Sequence, residues 1–138
     1  MLETRGAMQI PGPLVERIQQ ELDAFAAALP GLRNAVVASI DGFPVAEASG
    51  ADGRGERLAA MTSSMLALAK AVARELALGE MELLIIEAGE GKVLMLSIPT
   101  STRPLLLMAA CTQRSVIGDV LWKARNCSRN IQSACLGS

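Results

Sequence analysis

The stretch ERLAAMTSSMLALAKAVARELAL, residues 56–78, decides the fold. It predicts a helix. Ala, Leu, Met, Lys, Arg and Glu dominate it, and these are the strongest helix formers. It holds neither Pro nor Gly, and Gly79 stands just past its end, where a left-handed cap is expected. At about 100° of rotation per residue, Leu58, Met61, Thr62, Met65, Leu66, Leu68, Ala69, Val72, Ala73 and Leu76 fill roughly 160° of the circumference. A surface helix needs an apolar stripe of only about 100°. The rest of the wheel is mostly Ala and Ser, with charge confined to Lys70, Arg74, Glu75 and the first turn. The excess arc has two readings. One is a helix central to a large core. The other is a helix with one side on its own sheet and another on a second subunit. The chain is short, which favours the second.

Outward from this helix, the chain of 138 residues fits one domain. A loose leader over 1–12 precedes a domain expected at 13–135. Apolar residues make up 51% of the chain and aromatics 2%, so aliphatic side chains must build the core. A net charge of −1 argues against non-specific nucleic-acid binding, which needs clustered Lys and Arg. There is no His. That removes imidazole bases, Ser-His and Cys-His pairs and most transition-metal sites. Cys111, Cys127 and Cys135 are odd in number and form no CxxC, so the chain reads as reduced and cytoplasmic. Each reads as a small buried hydrophobe rather than a nucleophile. No charge-free apolar run is long enough to span a membrane, so no direct membrane insertion is expected.

Before the central helix, Leu14, Ile18, Leu22, Phe25 and Leu29 recur at spacings of three and four, an amphipathic helix over 13–29 stopped by Pro30-Gly31. Ala35–Ile40 is a short β run. Asp41-Gly42 is a strong two-residue hairpin signal, and 43–48 reads as the return strand. Pro44 places that strand at an edge or at its own first residue. A glycine-rich loop covers 49–55. It lacks the Lys and hydroxyl of a P-loop, carrying Glu56 where the Lys belongs, and no GxGxxG is present. After the helix come strands over 81–88 and 92–98, joined by Gly89-Glu90-Gly91, then 105–111, apolar throughout, and a last helix over 116–134. Ile117, Val120, Leu121, Ala124, Ile131 and Cys135 share one side of that helix.

The order is αββαβββα, an α+β fold. Strands apolar on both faces usually lie in parallel sheets under helices, yet the short connections force antiparallel pairing. The five-stranded antiparallel sheet therefore needs cover on both faces, with two helices on one and one on the other. A single helix covers five strands poorly, and a second copy of residues 56–78 would complete the layer. No constellation announces catalysis: Asp41 reads as a turn residue, Ser63-Ser64 has no base, and 100–102 is a polar loop. The residues point to a dimeric module, no enzyme and no cofactor or metal.

VVASIDGFPVAE at 36–47, RLAA at 57–60, Gly79, the hairpin EAGEGKVLML at 87–96 and the apolar strand at 105–111 together resemble the Roadblock family, the dynein light-chain type and its bacterial relatives. The resemblance covers about residues 13–135. It implies a homodimer or heterodimer whose second helices, here 56–78, pack side by side. Its third strands, here 80–88, pair into a continuous ten-stranded sheet. Interface residues expected here are Met61, Ser64, Met65, Leu68 and Val72 on the helix and Glu82 and Leu84 on the strand. The family implies a non-catalytic cytoplasmic regulator or scaffold. Bacterial members work beside small Ras-like GTPases, in one case as the activating partner of a polarity or gliding GTPase. The alternative is a purely structural adaptor in a motor or signalling complex. The outward strip of the helix, Ser63, Ala67, Lys70 and Arg74, is the expected partner surface.

Overall fold

The computed structural model describes residues 10–48 and 53–136. The expected leader up to residue 9, and residues 49–52 of the glycine-rich loop, lie outside the described residues. The elements are α1 (Gly12–Ala27), β1 (Leu32–Ser39), β2 (Pro44–Ala48), α2 (Gly55–Glu75), β3 (Leu83–Ala88), β4 (Gly91–Ile98), β5 (Leu105–Thr112) and α3 (Ile117–Leu136). This is the expected αββαβββα order.

The strands form one antiparallel sheet in the order β2-β1-β5-β4-β3. β5 is apolar at every position because it lies at the centre. Side chains alternate between the faces of a strand, so Leu105, Leu107, Ala109 and Cys111 enter one core and Leu106 and Met108 another. The first core holds Ile18, Leu22 and Phe25 of α1 with Val120, Ala124, Cys127 and Ile131 of α3. The second is smaller and lies under α2, where Ala59 and Leu66 meet Val36, Ala38, Met95, Leu106 and Met108. Two helices thus cover one face and one helix the other, as expected. Leu66 is 1% exposed, and its truncation to Ala would cost about 2–5 kcal/mol.

Two turns depart from the sequence reading. The Asp41-Gly42 hairpin closes on Ser39 and Phe43, with Ser39 N–H donating to the Phe43 carbonyl at 2.8 Å. Its loop is therefore three residues, Ile40 to Gly42. The Gly42 N–H returns to the Ser39 carbonyl at 2.9 Å and Gly42 sits at φ +94°. A turn followed by a left-handed residue is the usual three-residue solution. Pro44 opens β2, and β2 is an edge strand, as its chemistry requires.

Helix α2 ends at Glu75, three residues before the expected 78. The left-handed residue that terminates it is Ala77, at φ 55°. The Leu78 N–H bonds the Ala73 carbonyl at 2.9 Å and the Ala77 N–H bonds that of Arg74 at 3.1 Å. This pair of bonds is a Schellman cap. Gly79, also at positive φ, follows it and redirects the chain toward β3.

Candidate functional site

Helix α2 crosses the sheet rather than following a strand. Its first residue, Gly55, lies against Glu47 of β2, and Ala60 and Ser63 approach Gly42 at the β1–β2 turn. Its last turns reach β4 and the segment leading to β3, where Lys70 and Arg74 border Met81 and Ser97. The inward face, Ala59, Thr62, Leu66 and Ala73, is buried. Thr62 is accommodated there because its hydroxyl donates to the Leu58 carbonyl at 2.8 Å. Two flanks remain, and they differ in chemistry.

One flank carries Met61, Met65, Leu68, Val72 and Leu76, spaced three and four apart on one side of the helix. They are exposed by 50%, 38%, 68%, 49% and 61%. Met61 and Met65, with Leu58, overhang a groove of about 450 Å3 whose sheet side is Ile86, Val93, Met95, Met108 and Ala110. This is the part of the sheet that α2 leaves bare. Of the expected interface residues, Met61, Met65, Leu68 and Val72 share this flank. Ser64 is exposed, and Leu84 lies half-buried against the core under α2. Glu82 is exposed, 3.7 Å from the guanidinium of Arg125.

The two edges of the sheet are unlike. At the β2 edge, the register slips between Val37 and Ala38, and Pro44 has no N–H to offer. The Gln19 amide of α1 takes the place of a neighbouring strand. Its Nε2 donates to the Glu47 carbonyl at 2.7 Å, and its Oε1 accepts from the Glu47 N–H at 3.4 Å. At the other edge, β3 carries no such clamp among the described residues, and Ile85 is 40% exposed.

The opposite flank of α2 carries Ser63, Ala67, Lys70 and Arg74. Ala67 and Arg74 are exposed, as read from the sequence. Ser63 is not an outward residue. It is half-buried, and its hydroxyl donates to the Ile40 carbonyl at 2.7 Å, tying the helix to the end of β1. Lys70 is also half-buried. Asp41, beside this flank, pairs with Arg103 at 2.7 Å across the sheet end.

The cysteines are free thiols; Cys111 and Cys127 are buried and Cys135 is partly so. Burial, reinforced by the charge of Glu21, pushes the Cys127 thiol up to about 12. Burial also raises Cys135. Such thiols stay protonated and are poor nucleophiles. Among the described residues no cluster of His, Cys, Asp or Glu could hold a metal ion. No helix there is long and apolar enough to cross a membrane. Sequence reasoning missed Gln19 and the Schellman cap. The first joins residues 28 apart in sequence, and nothing local signals it.

Comparisons with known proteins agree with this architecture. Myxococcus xanthus MglB superposes with a TM-score of 0.79 at 14% identity, covering 91% of this chain and 92% of that one. The gliding protein MglB from Thermus thermophilus gives 0.82 at 14% identity, covering 98% and 100%. A Roadblock/LC7 domain from Streptomyces avermitilis gives 0.76 at 12% identity, covering 83% and 94%. No curated protein sequence matches the chain. The model of the Roadblock/LC7 domain matches residues 18–100, from the first buried turn of α1 through the end of β4. That match spans both hairpins and all of α2, and the chain belongs to the Roadblock/LC7 family.

Proposed function

We propose that this protein is a dimer that serves as a non-catalytic regulator or scaffold for a small Ras-like GTPase. The observation that carries the reading is the pairing of an apolar flank with one usable sheet edge. Water-exposed Met61, Met65, Leu68, Val72 and Leu76 lie in a line beside bare sheet. Monomeric proteins rarely expose a contiguous apolar patch of this kind. A second copy of α2 laid along the groove would bury the stripe. With the β2 edge clamped by Gln19, pairing can proceed only through β3. Two β3 strands then join two five-stranded sheets into one of ten, and assembly closes at two copies. Ser64, Glu82 and Leu84 would fall within or beside that contact.

Dimerisation leaves the flank of Ser63, Ala67, Lys70 and Arg74 facing outward, and this is the surface for the GTPase. The GTPase assignment rests on the family, whose bacterial members work beside such proteins. Arg74 is held on a helix at the sheet end, so it reaches poorly into a nucleotide pocket. Any acceleration of hydrolysis would come from repositioning the GTPase's own catalytic loop. An arginine finger would be worth roughly 10³–10⁵ in rate. Arg74→Ala at saturating protein is expected to change single-turnover hydrolysis less than tenfold; a thousandfold loss would make it a finger. The broader test is a pull-down with the source organism's small Ras-like GTPases, each loaded with a GTP analogue or with GDP. Nucleotide-dependent capture supports the reading. A soluble dimer that captures neither form would make the chain a purely structural adaptor.

A further inference from the structure

Lys70 and Arg74 each line two adjoining cavities. One is a dimple of about 220 Å3 between α2 and the sheet end, walled by Ile40, Ser63, Leu66, Ala67 and Leu106. The other is a cleft of about 490 Å3, walled by Gly79, Glu80, Met81 and Ser97. The dimple is apolar but for the Ser63 hydroxyl, which is already engaged with the Ile40 carbonyl. The cleft adds the Glu80 carboxylate and the Ser97 hydroxyl to Gly79 and Met81, so it is the more polar of the two. The two cations therefore stand between an apolar seat and a more polar one.

Among the described residues nothing uses these cations. Neither forms an ion pair or a side-chain hydrogen bond with another of them, in contrast to Arg103, Lys123 and Arg125. They do not cap α2 either. The Val72, Ala73 and Arg74 carbonyls are satisfied by the backbone N–H groups of residues 76–78. The Ser97 hydroxyl, closed off in the cleft wall, is the one buried side-chain polar atom without a partner among the described residues. Glu80, which also lines the cleft, supplies a carboxylate but forms an ion pair with neither cation.

We infer that this pair of cavities recognises a short segment of the partner protein in which an apolar side chain is followed by acidic ones. The apolar side chain fills the dimple. The carboxylates enter the cleft and bridge Lys70 and Arg74, displacing the competing influence of Glu80. Desolvated by the segment itself, each charge-assisted contact is stronger than an exposed ion pair. Charge complementarity sets the acidic requirement, and the volume of the dimple, about 220 Å3, sets a single apolar anchor. This rests on the reading of the Ser63–Arg74 flank as the partner surface.

The test uses the full chain alone, labelled with 15N, and the acetylated, amidated pentapeptide Gly-Leu-Glu-Asp-Gly. Amide shifts are expected at residues 40, 67–74, 97 and 106. The Gly-Leu-Gln-Asn-Gly peptide should bind at least tenfold more weakly, as should the Lys70→Gln/Arg74→Gln variant with the acidic peptide. Glu80→Gln should tighten binding. No shift at these residues would overturn the inference, and so would equal binding of the Gln/Asn peptide. Inorganic phosphate binding as tightly as the peptide would also overturn it, because the dimple would then contribute nothing. Light scattering reads the oligomeric state and a pull-down reads GTPase capture, so a parent protein that is dimeric and captures its GTPase but does not bind the acidic peptide sinks this inference alone.

Discussion

Leu66 and Leu68 stand two residues apart on one helix, yet they meet opposite surroundings. Leu66 is 1% exposed in the single chain and Leu68 is 68% exposed. Replacing Leu66 by Asp puts a carboxylate into the core under α2 and should abolish folding. Leu68→Asp leaves that core untouched. Full burial of a leucine is worth about 1.5–3 kcal/mol. Burying the 68% that remains exposed is therefore worth about 1–2 kcal/mol per chain, or about 2–4 kcal/mol across a two-fold dimer. At about 1.4 kcal/mol per decade, loss of that burial alone raises the dissociation constant roughly 30- to 700-fold. Desolvating two carboxylates adds several kcal/mol per ion. Sedimentation equilibrium of Leu68→Asp should show a folded monomer at concentrations where the parent is a dimer, with helical circular dichroism retained. Leu68→Ser, which adds no charge, should show an intermediate constant. If Leu68→Asp dimerises as tightly as the parent, the apolar flank of α2 is not the interface.

Met65→Glu should dissociate the dimer in the same assay, because Met65 overhangs the bare part of the sheet. Gln19→Val removes the clamp on Glu47, and sedimentation velocity should then show species larger than a dimer that grow with concentration; a strictly dimeric variant would show that the bulge and Pro44 suffice. Ala77→Gly relieves a non-glycine residue of its left-handed strain, worth about 1 kcal/mol, and should raise the melting temperature by about 2–5 °C. Cys127 binds its proton more tightly when folded, with a value near 12 against an ordinary 9.0. Its stabilising contribution is whole below pH 9 and declines between pH 9 and 12, by at most about 1.4 kcal/mol per pH unit. Urea titrations at pH 8 and pH 10.5 should show a smaller alkaline loss for Cys127→Ala than for the parent, and equal losses would contradict the burial argument.

The fold was largely legible because its signals are local and redundant. An all-apolar strand at 105–111 can only sit at the centre of a covered sheet, and the period of α2 showed more apolar arc than one core uses. Pro44 marked an edge because it lacks a donor. The rest was hidden for physical reasons. The cap fell on Ala77 rather than Gly79 because the backbone bonds to Ala73 and Arg74 outweighed the strain of a left-handed alanine. The hairpin lengthened by one residue because Ser39 and Phe43 close the ladder, and the Ser39 hydroxyl also accepts from the Phe43 N–H. The angle at which α2 crosses the sheet decides which side chains line each cavity, and no periodicity encodes that angle. Ser63 therefore looked outward on a helical wheel but faces the β1–β2 turn. Ser97 alternates onto the same face as Val93 and Met95, yet only the end of α2 makes it the wall of a cleft.

The central claim is that a dimer presents the Ser63–Arg74 flank of α2 to a small Ras-like GTPase. Calorimetry of Ala67→Arg against the GTP-loaded GTPase tests it most directly. Ala67 is exposed and lines the dimple, so a long side chain there obstructs the surface without entering the core. The expected result is an intact dimer whose affinity for the GTPase falls at least tenfold; an intact dimer that binds the GTPase as tightly as the parent would contradict the claim.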